Sequence, residues 1–79
     1  MNAHVCDHRK EVGQYMLAEP VGTAPHETYL IWDRRGHQLG YVEWYSRWRC
    51  HVFVPDPGLV LSADCCAAMS TFLGGIDER

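Results

Sequence analysis

The stretch TYLIWDRRGHQLGYVEWYSRWRCHVFVP, residues 28–55, decides the fold. Thr28-Tyr29-Leu30-Ile31-Trp32 is rich in the β-branched and aromatic side chains that suit a pleated strand, and it runs into Asp33-Arg34-Arg35-Gly36. There Asp33 can accept from turn amides, and Gly36 can take the left-handed conformation that closes a type I turn with a bulge. Gln38 to Tyr45 is the return strand. A second turn at Ser46-Arg47 leads into Trp48 to Val54, and Pro55-Asp56-Pro57-Gly58 ends that strand, because proline cannot continue a ladder.

Working outward, the segment after the sheet reads as a helix over residues 62–73. Ser62 can cap it and Asp64 suits the positive N-terminal end of its dipole, while Gly74-Gly75 is expected to stop it. Cys65, Cys66, Met69, Phe72 and Leu73 form one apolar stripe, with Ala67, Ser70 and Thr71 turned away from it. On the other side, residues 12–27 are ambiguous. Val12, Tyr15 and Met16 have helical spacing, but Gly13 and Tyr15 favour a strand over Val12 to Glu19, and Pro20-Val21-Gly22-Thr23-Ala24-Pro25 breaks any regular element. Residues 1–11 read as a loose polar arm. The expectation is one α+β domain over residues 1–79, a three-stranded antiparallel sheet, four-stranded if Val12 to Glu19 joins it, packed against one C-terminal helix.

Alternation along the strands sorts the side chains into two faces. With Ser46-Arg47 as a two-residue turn, Trp44 opposes Arg49 and Val42 opposes His51, and the first hairpin sets Tyr29 and Ile31 beside Leu39 and Tyr41. Tyr29, Ile31, Leu39, Tyr41, Tyr45, Trp48, Cys50, Val52 and Val54 then make the better core, with Glu43 its only charge. The opposite face carries Leu30, Trp32, Val42, Trp44, Arg49, His51 and Phe53. Aromatic residues mixed with a cation are what interface hot spots are made of, so Trp32, Trp44, Arg49, His51 and Phe53 are the candidate partner-binding residues. An acidic edge of Glu27, Asp33 and Glu43 is the second candidate. A one-residue slip would exchange the faces.

Composition narrows the function classes. The 79 residues are 47% hydrophobic and 22% charged, an ordinary globular balance. Ten Asp and Glu against seven Lys and Arg give a formal charge of −3, which offers no general attraction to a polyanion, so direct nucleic-acid binding is not expected. The apolar runs are short, such as Leu59-Val60-Leu61, so neither a membrane span nor a secretory segment is expected. Cys6, Cys50, Cys65 and Cys66 are too irregular for a disulfide scaffold, and a reducing cytoplasm suits them. His4, Cys6 and His8 could chelate zinc, but the Cys-x-x-Cys turn usual in structural sites is missing, so neither metal nor cofactor is assigned. Cys65 and Cys66 lie where a helix dipole can lower a thiol pKa, yet the apolar stripe gives both a packing role instead. No nucleophile or phosphate-loop motif occurs, and the expectation is not an enzyme.

Gly36, Leu39, Gly40, Trp44, Trp48, Arg49, Phe53 and Pro55, followed by Cys65 or Cys66, Phe72 and Leu73, resemble a pattern of small bacteriophage and prophage proteins, Gly-x-x-Leu-Gly-x-(Ile/Val)-x-Trp-x-x-x-Trp-Arg-x-x-x-Phe-x-Pro before a Cys-containing helix. The resemblance covers roughly residues 28–73 and implies a β-β-β-α unit in a bacterial host cell; the N-terminal 27 residues and the paired cysteines depart from it. In length, charge and lack of catalytic signal the chain is similar to the anti-CRISPR proteins. That likeness implies a monomer or small homo-oligomer binding a host CRISPR-Cas complex stoichiometrically and blocking DNA recognition. Two alternatives are a structural or regulatory domain with a zinc-bound N-terminal arm, and a weak nucleic-acid module stacking bases on Trp32 or Trp44.

Overall fold

A computed structural model describes residues 9–22 and 26–77. Five strands, β1 (Lys10–Val12), β2 (Met16–Gly22), β3 (Thr28–Asp33), β4 (Gln38–Tyr45) and β5 (Cys50–Pro55), precede one helix, α1 (Ala63–Asp77). The strands pair antiparallel in chain order, as a meander with β1 and β5 at its edges. The α+β class and the single C-terminal helix are as the sequence reading expects. The sheet has more strands, because residues 10–22 form a hairpin of their own.

That hairpin shows how tertiary context overrides local breakers. Val12 pairs with Met16 across a turn that begins at Gly13, whose φ is +68°. A Cβ at Gly13 would lie 2.6 Å from the Cβ of Ala68, so only glycine lets α1 settle against this turn. Strand β2 then continues through Pro20, with a bulge between Pro20 and Gly22, where the proline reading expects irregular chain. Pairing with β1 ends at Ala18, so Pro20 sits where β2 has a single neighbour among the described residues and a missing N–H is tolerated.

The register of β3 on β4 decides the faces. Without irregularity, Trp32 opposite Gln38 would put Ile31 opposite Leu39 and Tyr29 opposite Tyr41. A bulge at Leu39 inserts one residue, and Ile31 pairs with Gly40, Tyr29 with Val42. This one-residue shift exchanges the face of β4 relative to β3. The second hairpin has a four-residue turn, with Tyr45 O accepting from Trp48 N (3.1 Å) and Arg49 N (2.9 Å), and it pairs Tyr45 with Cys50, Trp44 with His51 and Val42 with Phe53. This shift of two positions from the expected pairing preserves the faces of β4 and β5.

Two cross-strand rows under the helix result: Ala18, Ile31, Gly40 and Pro55, and beside it Pro20, Tyr29, Val42 and Phe53. Val12, Met16, Ala18, Tyr29, Ile31 and Val42 are buried there with Met69 of α1, and the Tyr29 and Phe72 rings meet edge to face at 5.2 Å. Gly40 sits where the backbones crowd. Its φ is +156°, and a Cβ there would lie 2.4 Å from Val54 O and 2.8 Å from the Pro55 Cα. The bulge and this close approach explain why a lone glycine interrupts an otherwise bulky strand.

The helix begins as read. Ser62 Oγ accepts from Cys65 N at 3.2 Å, and Ser62 O accepts from Cys66 N at 2.9 Å. Its core stripe is Cys65, Ala68, Met69, Phe72, Leu73 and Ile76; Cys66 is exposed and not part of it. The helix also runs on through Gly74 and Gly75 to Asp77 rather than stopping at residue 73. Ile76 packs on the core and Asp77 binds β5, and these contacts outweigh about 1 kcal/mol of helix propensity lost per glycine.

Candidate partner-binding surface

The five residues read as one binding face do not share one. Trp44, His51 and Phe53 lie on the helix-covered side, Trp32 on the opposite side, and Arg49 in the turn after β4. The pairing of Arg49 with Trp44 is replaced by Trp44 with His51, because the turn takes up four residues rather than two. The acidic edge does not gather either. Glu27 and Asp33 bracket β3, an interior strand, about 20 Å apart at a rise of roughly 3.3 Å per residue, and Glu43 projects from the middle of β4.

His51 belongs to a closed polar cluster. It is 4% exposed, its Nδ1 lies 2.6 Å from Asp77 Oδ1, and its Nε2 lies 3.1 Å from Glu27 O. Trp44 is stacked against the His26 ring at 3.6 Å and meets His51 edge-on at 5.4 Å. Glu27 also accepts from the Tyr29 hydroxyl. A buried His–Asp pair resembles the base and orienter of a catalytic triad. Here each ring nitrogen is engaged within the fold, Nδ1 with Asp77 and Nε2 with Glu27 O, so neither is directed at a substrate. The pair ties the end of α1 to β5 and to the segment before β3.

Asp77 does a second thing. Its carboxylate accepts from the His51 amide, at 3.1 Å and 3.3 Å. The backbone groups of β5 turned away from β4 are therefore those of His51, Phe53 and Pro55. The first N–H is taken by Asp77 and the last does not exist, so the edge is blunted at both ends. At the other edge β1 is only three residues long and carries Lys10 and Glu11. Among the described residues neither edge offers a long free ladder to an added strand.

Two surfaces remain. The first is the β4–β5 tip, Ser46-Arg47-Trp48-Arg49. Trp48 is 70% exposed and meets the Tyr45 ring edge to face at 4.8 Å. Arg47 and Arg49 are exposed, without an ion-pair partner among the described residues. Arg49 holds φ +55°, the left-handed region that costs a non-glycine residue about 1–2 kcal/mol. The second is the sheet face away from α1. Its side chains form the row Glu19, Leu30, Tyr41 and Val54, flanked by Leu17 with Trp32, by Glu43 with Val52, and by Tyr45 with Cys50. All are half-buried by their neighbours in the sheet, and no helix or second sheet among the described residues lies over them.

The remaining sequence candidates contribute nothing further to these surfaces. Shallow depressions of about 200 and 300 Å³ flank Gly13, at or below the small end of ligand sites. Among the described residues no three His, Cys, Asp or Glu side chains converge for a metal, and His4, Cys6 and His8 lie outside those residues. No helix among them is long and apolar enough to cross a membrane. No protein-family model matches the chain, and neither a curated protein nor a solved structure is similar to it. The surfaces are therefore judged on their own chemistry. The sequence reading named Arg49 but passed over Trp48 as core; the signal was the run Arg47-Trp48-Arg49 itself, two cations around one ring, which suits a turn better than a strand.

Proposed function

We propose that the chain is a stoichiometric protein-binding module whose anchor is the β4–β5 tip. The observation that carries this is Arg49 held at φ +55° beside a Trp48 that is 70% exposed. A glycine would occupy that turn position without strain, so retaining arginine there makes sense if the side chain is used. Trp, Tyr and Arg are the residue types that dominate interface energetics, and all three meet at this tip. The two unpaired guanidinium groups favour a partner surface carrying carboxylates around an apolar pocket.

The specific form is inhibition of a host CRISPR-Cas complex. Supporting it are the phage-type pattern across residues 28–73, the small size and the net charge of −3. Imitation of DNA by an acidic edge loses its basis, because Glu27, Asp33 and Glu43 do not gather; occlusion by the aromatic tip is the form that fits.

The test uses Arg49→Gly and Trp48→Ala in a phage interference assay, with recovery of the complex on immobilised protein. Arg49→Gly should keep or raise folding stability, by up to about 1 kcal/mol, while losing partner recovery at least tenfold. If both variants recover the partner as well as wild type does, the tip is not the anchor. If interference is untouched by the wild-type chain and no complex is recovered, the CRISPR form is wrong while the tip can still be assayed against other captured proteins. Trp44→Ala is not a clean probe, since it removes the ring that His26 and His51 pack on.

A further inference from the structure

The sheet face opposite α1 is apolar where an antiparallel sheet exposed to water on one side would alternate to polar side chains. Leu17, Leu30, Trp32, Tyr41, Tyr45, Cys50, Val52 and Val54 occupy it, and its charges among the described residues are Glu19, Glu43 and, opposite Leu17 at the β1 edge, Glu11, which pairs with Arg34. Glu19 is already engaged, accepting from Trp32 Nε1 at 3.0 Å. Glu43 has no hydrogen-bond or ion-pair partner among the described residues, and the hydroxyls of Tyr41 and Tyr45 on the same face have none either.

We infer that this face is covered by the same face of a second copy of the chain. A two-fold interface sets residue i against residue j and j against i, so one surface must supply both halves of every contact. This face does so: the unpartnered acceptor, Glu43, and unpartnered donors, Tyr41 and Tyr45, lie within it, and each copy's carboxylate can take the other's phenol hydroxyl. Its mainly aromatic and aliphatic side chains match the composition of an interface core. With strands about 4.8 Å and rows about 6.7 Å apart, the ten positions of its four rows give a plan area of about 320 Å² per copy. Two copies together reach about 640 Å², at the small end of interface sizes, so the dimer is a weak and reversible one. Face-to-face packing is also the route the molecule leaves available, because Asp77, Pro55 and the short charged β1 obstruct pairing edge to edge. Tyr45 belongs to both surfaces, while Arg47, Trp48 and Arg49 of the tip lie outside this interface.

The experiment is sedimentation velocity or light scattering on the full chain between about 1 and 100 µM, where a weak but specific dimer changes the mean mass. The expected result is a mass rising from one chain to two across the range. Val52→Arg, placing a charge on the β5 side of the face beside Glu43, should remain monomeric with an unchanged circular dichroism spectrum. Val60→Arg, at a position 87% exposed in the connection before α1, should dimerise like wild type. Should Val52→Arg unfold, Tyr41→Phe/Tyr45→Phe replaces it, keeping the rings and weakening the dimer about tenfold through its hydroxyls alone. A wild-type chain that stays monomeric at 100 µM overturns the assignment and gives the face to another occupant. Dimerisation lost in Arg49→Gly but retained in Val52→Arg overturns it as well, by placing the contact at the tip. Because the readout is mass rather than partner recovery, failure here leaves the tip proposal standing, and the reverse.

Discussion

Asp33 ends β3 and organises the turn that follows it. Its Oδ1 accepts from the amides of Arg35 and His37, both at 2.9 Å, and its Oδ2 lies 3.2 Å from His37 Nδ1, while Gly36 takes φ +94° as the turn chemistry requires. The His37 amide, most of all, holds the Asp33 carboxyl below the usual carboxylate range; partial desolvation opposes this, and the His37 ring and the Arg35 amide reinforce it. The sign follows from linkage. A carboxyl with a depressed folded-state pKa contributes stability that is fully present above its unfolded value, about 3.9, and is lost as pH falls through the lower folded value. Asp33→Asn should therefore melt below wild type at pH 7, and the gap should narrow as pH is lowered from about 5 toward 2. Thermal denaturation of both proteins over that range checks it; a gap that stays constant in acid would mean the carboxylate charge does not matter to this turn. This residue's role was legible in the sequence, because an Asx turn is a local interaction among residues 33–37.

At the scale of elements, what was legible depended on the distance over which the deciding contact acts. Ser62 as the cap of α1 needed only its own neighbours, and it was correct. The far end of the helix needed His51, a residue 26 positions away, and the glycines gave the opposite answer. The faces turned on the bulge at Leu39, whose only sequence sign was the isolated Gly40 within a strand pattern. The last turn of α1 allows two opposite predictions. Nothing lies within 4 Å of a Cβ built at Gly74 or Gly75, so Gly74→Ala/Gly75→Ala should stabilise the fold, by about 1–2 kcal/mol in total. Asp77→Ala should destabilise it by about 2 kcal/mol, because the buried His51 ring and amide both lose their acceptor while the 29% exposure of the Asp77 side chain admits some water in compensation. Urea denaturation measures both. A destabilising alanine pair would show that the glycines serve a bend that α1 needs, and a neutral Asp77→Ala would show that the clasp on β5 adds nothing to stability.

For the whole molecule, one helix against one face of a five-stranded meander leaves the other face without a covering element among the described residues, and a second copy there would link folding to concentration. The core under α1 is small, centred on Tyr29, Ile31, Val42 and Met69, as expected of a chain of 79 residues. If the outer face is buried in a dimer, association stabilises the native state alone, since the unfolded chain has no such face. By mass action, a free concentration a hundredfold above Kd adds about 2.7 kcal/mol per binding event, and in a domain of this size each kcal/mol moves Tm by about 4–8 °C. The wild-type melting temperature should accordingly climb by several degrees between about 1 and 100 µM protein, whereas Val52→Arg should melt at one temperature throughout. Arg49→Gly separates the two surfaces at this scale: its melt should track concentration as wild type does, displaced upward by whatever strain the arginine stored. A wild-type melt that ignores concentration while Arg49→Gly still loses its partner would leave the tip as the working surface of a monomer, with the aromatic outer face stable in water without a second copy over it.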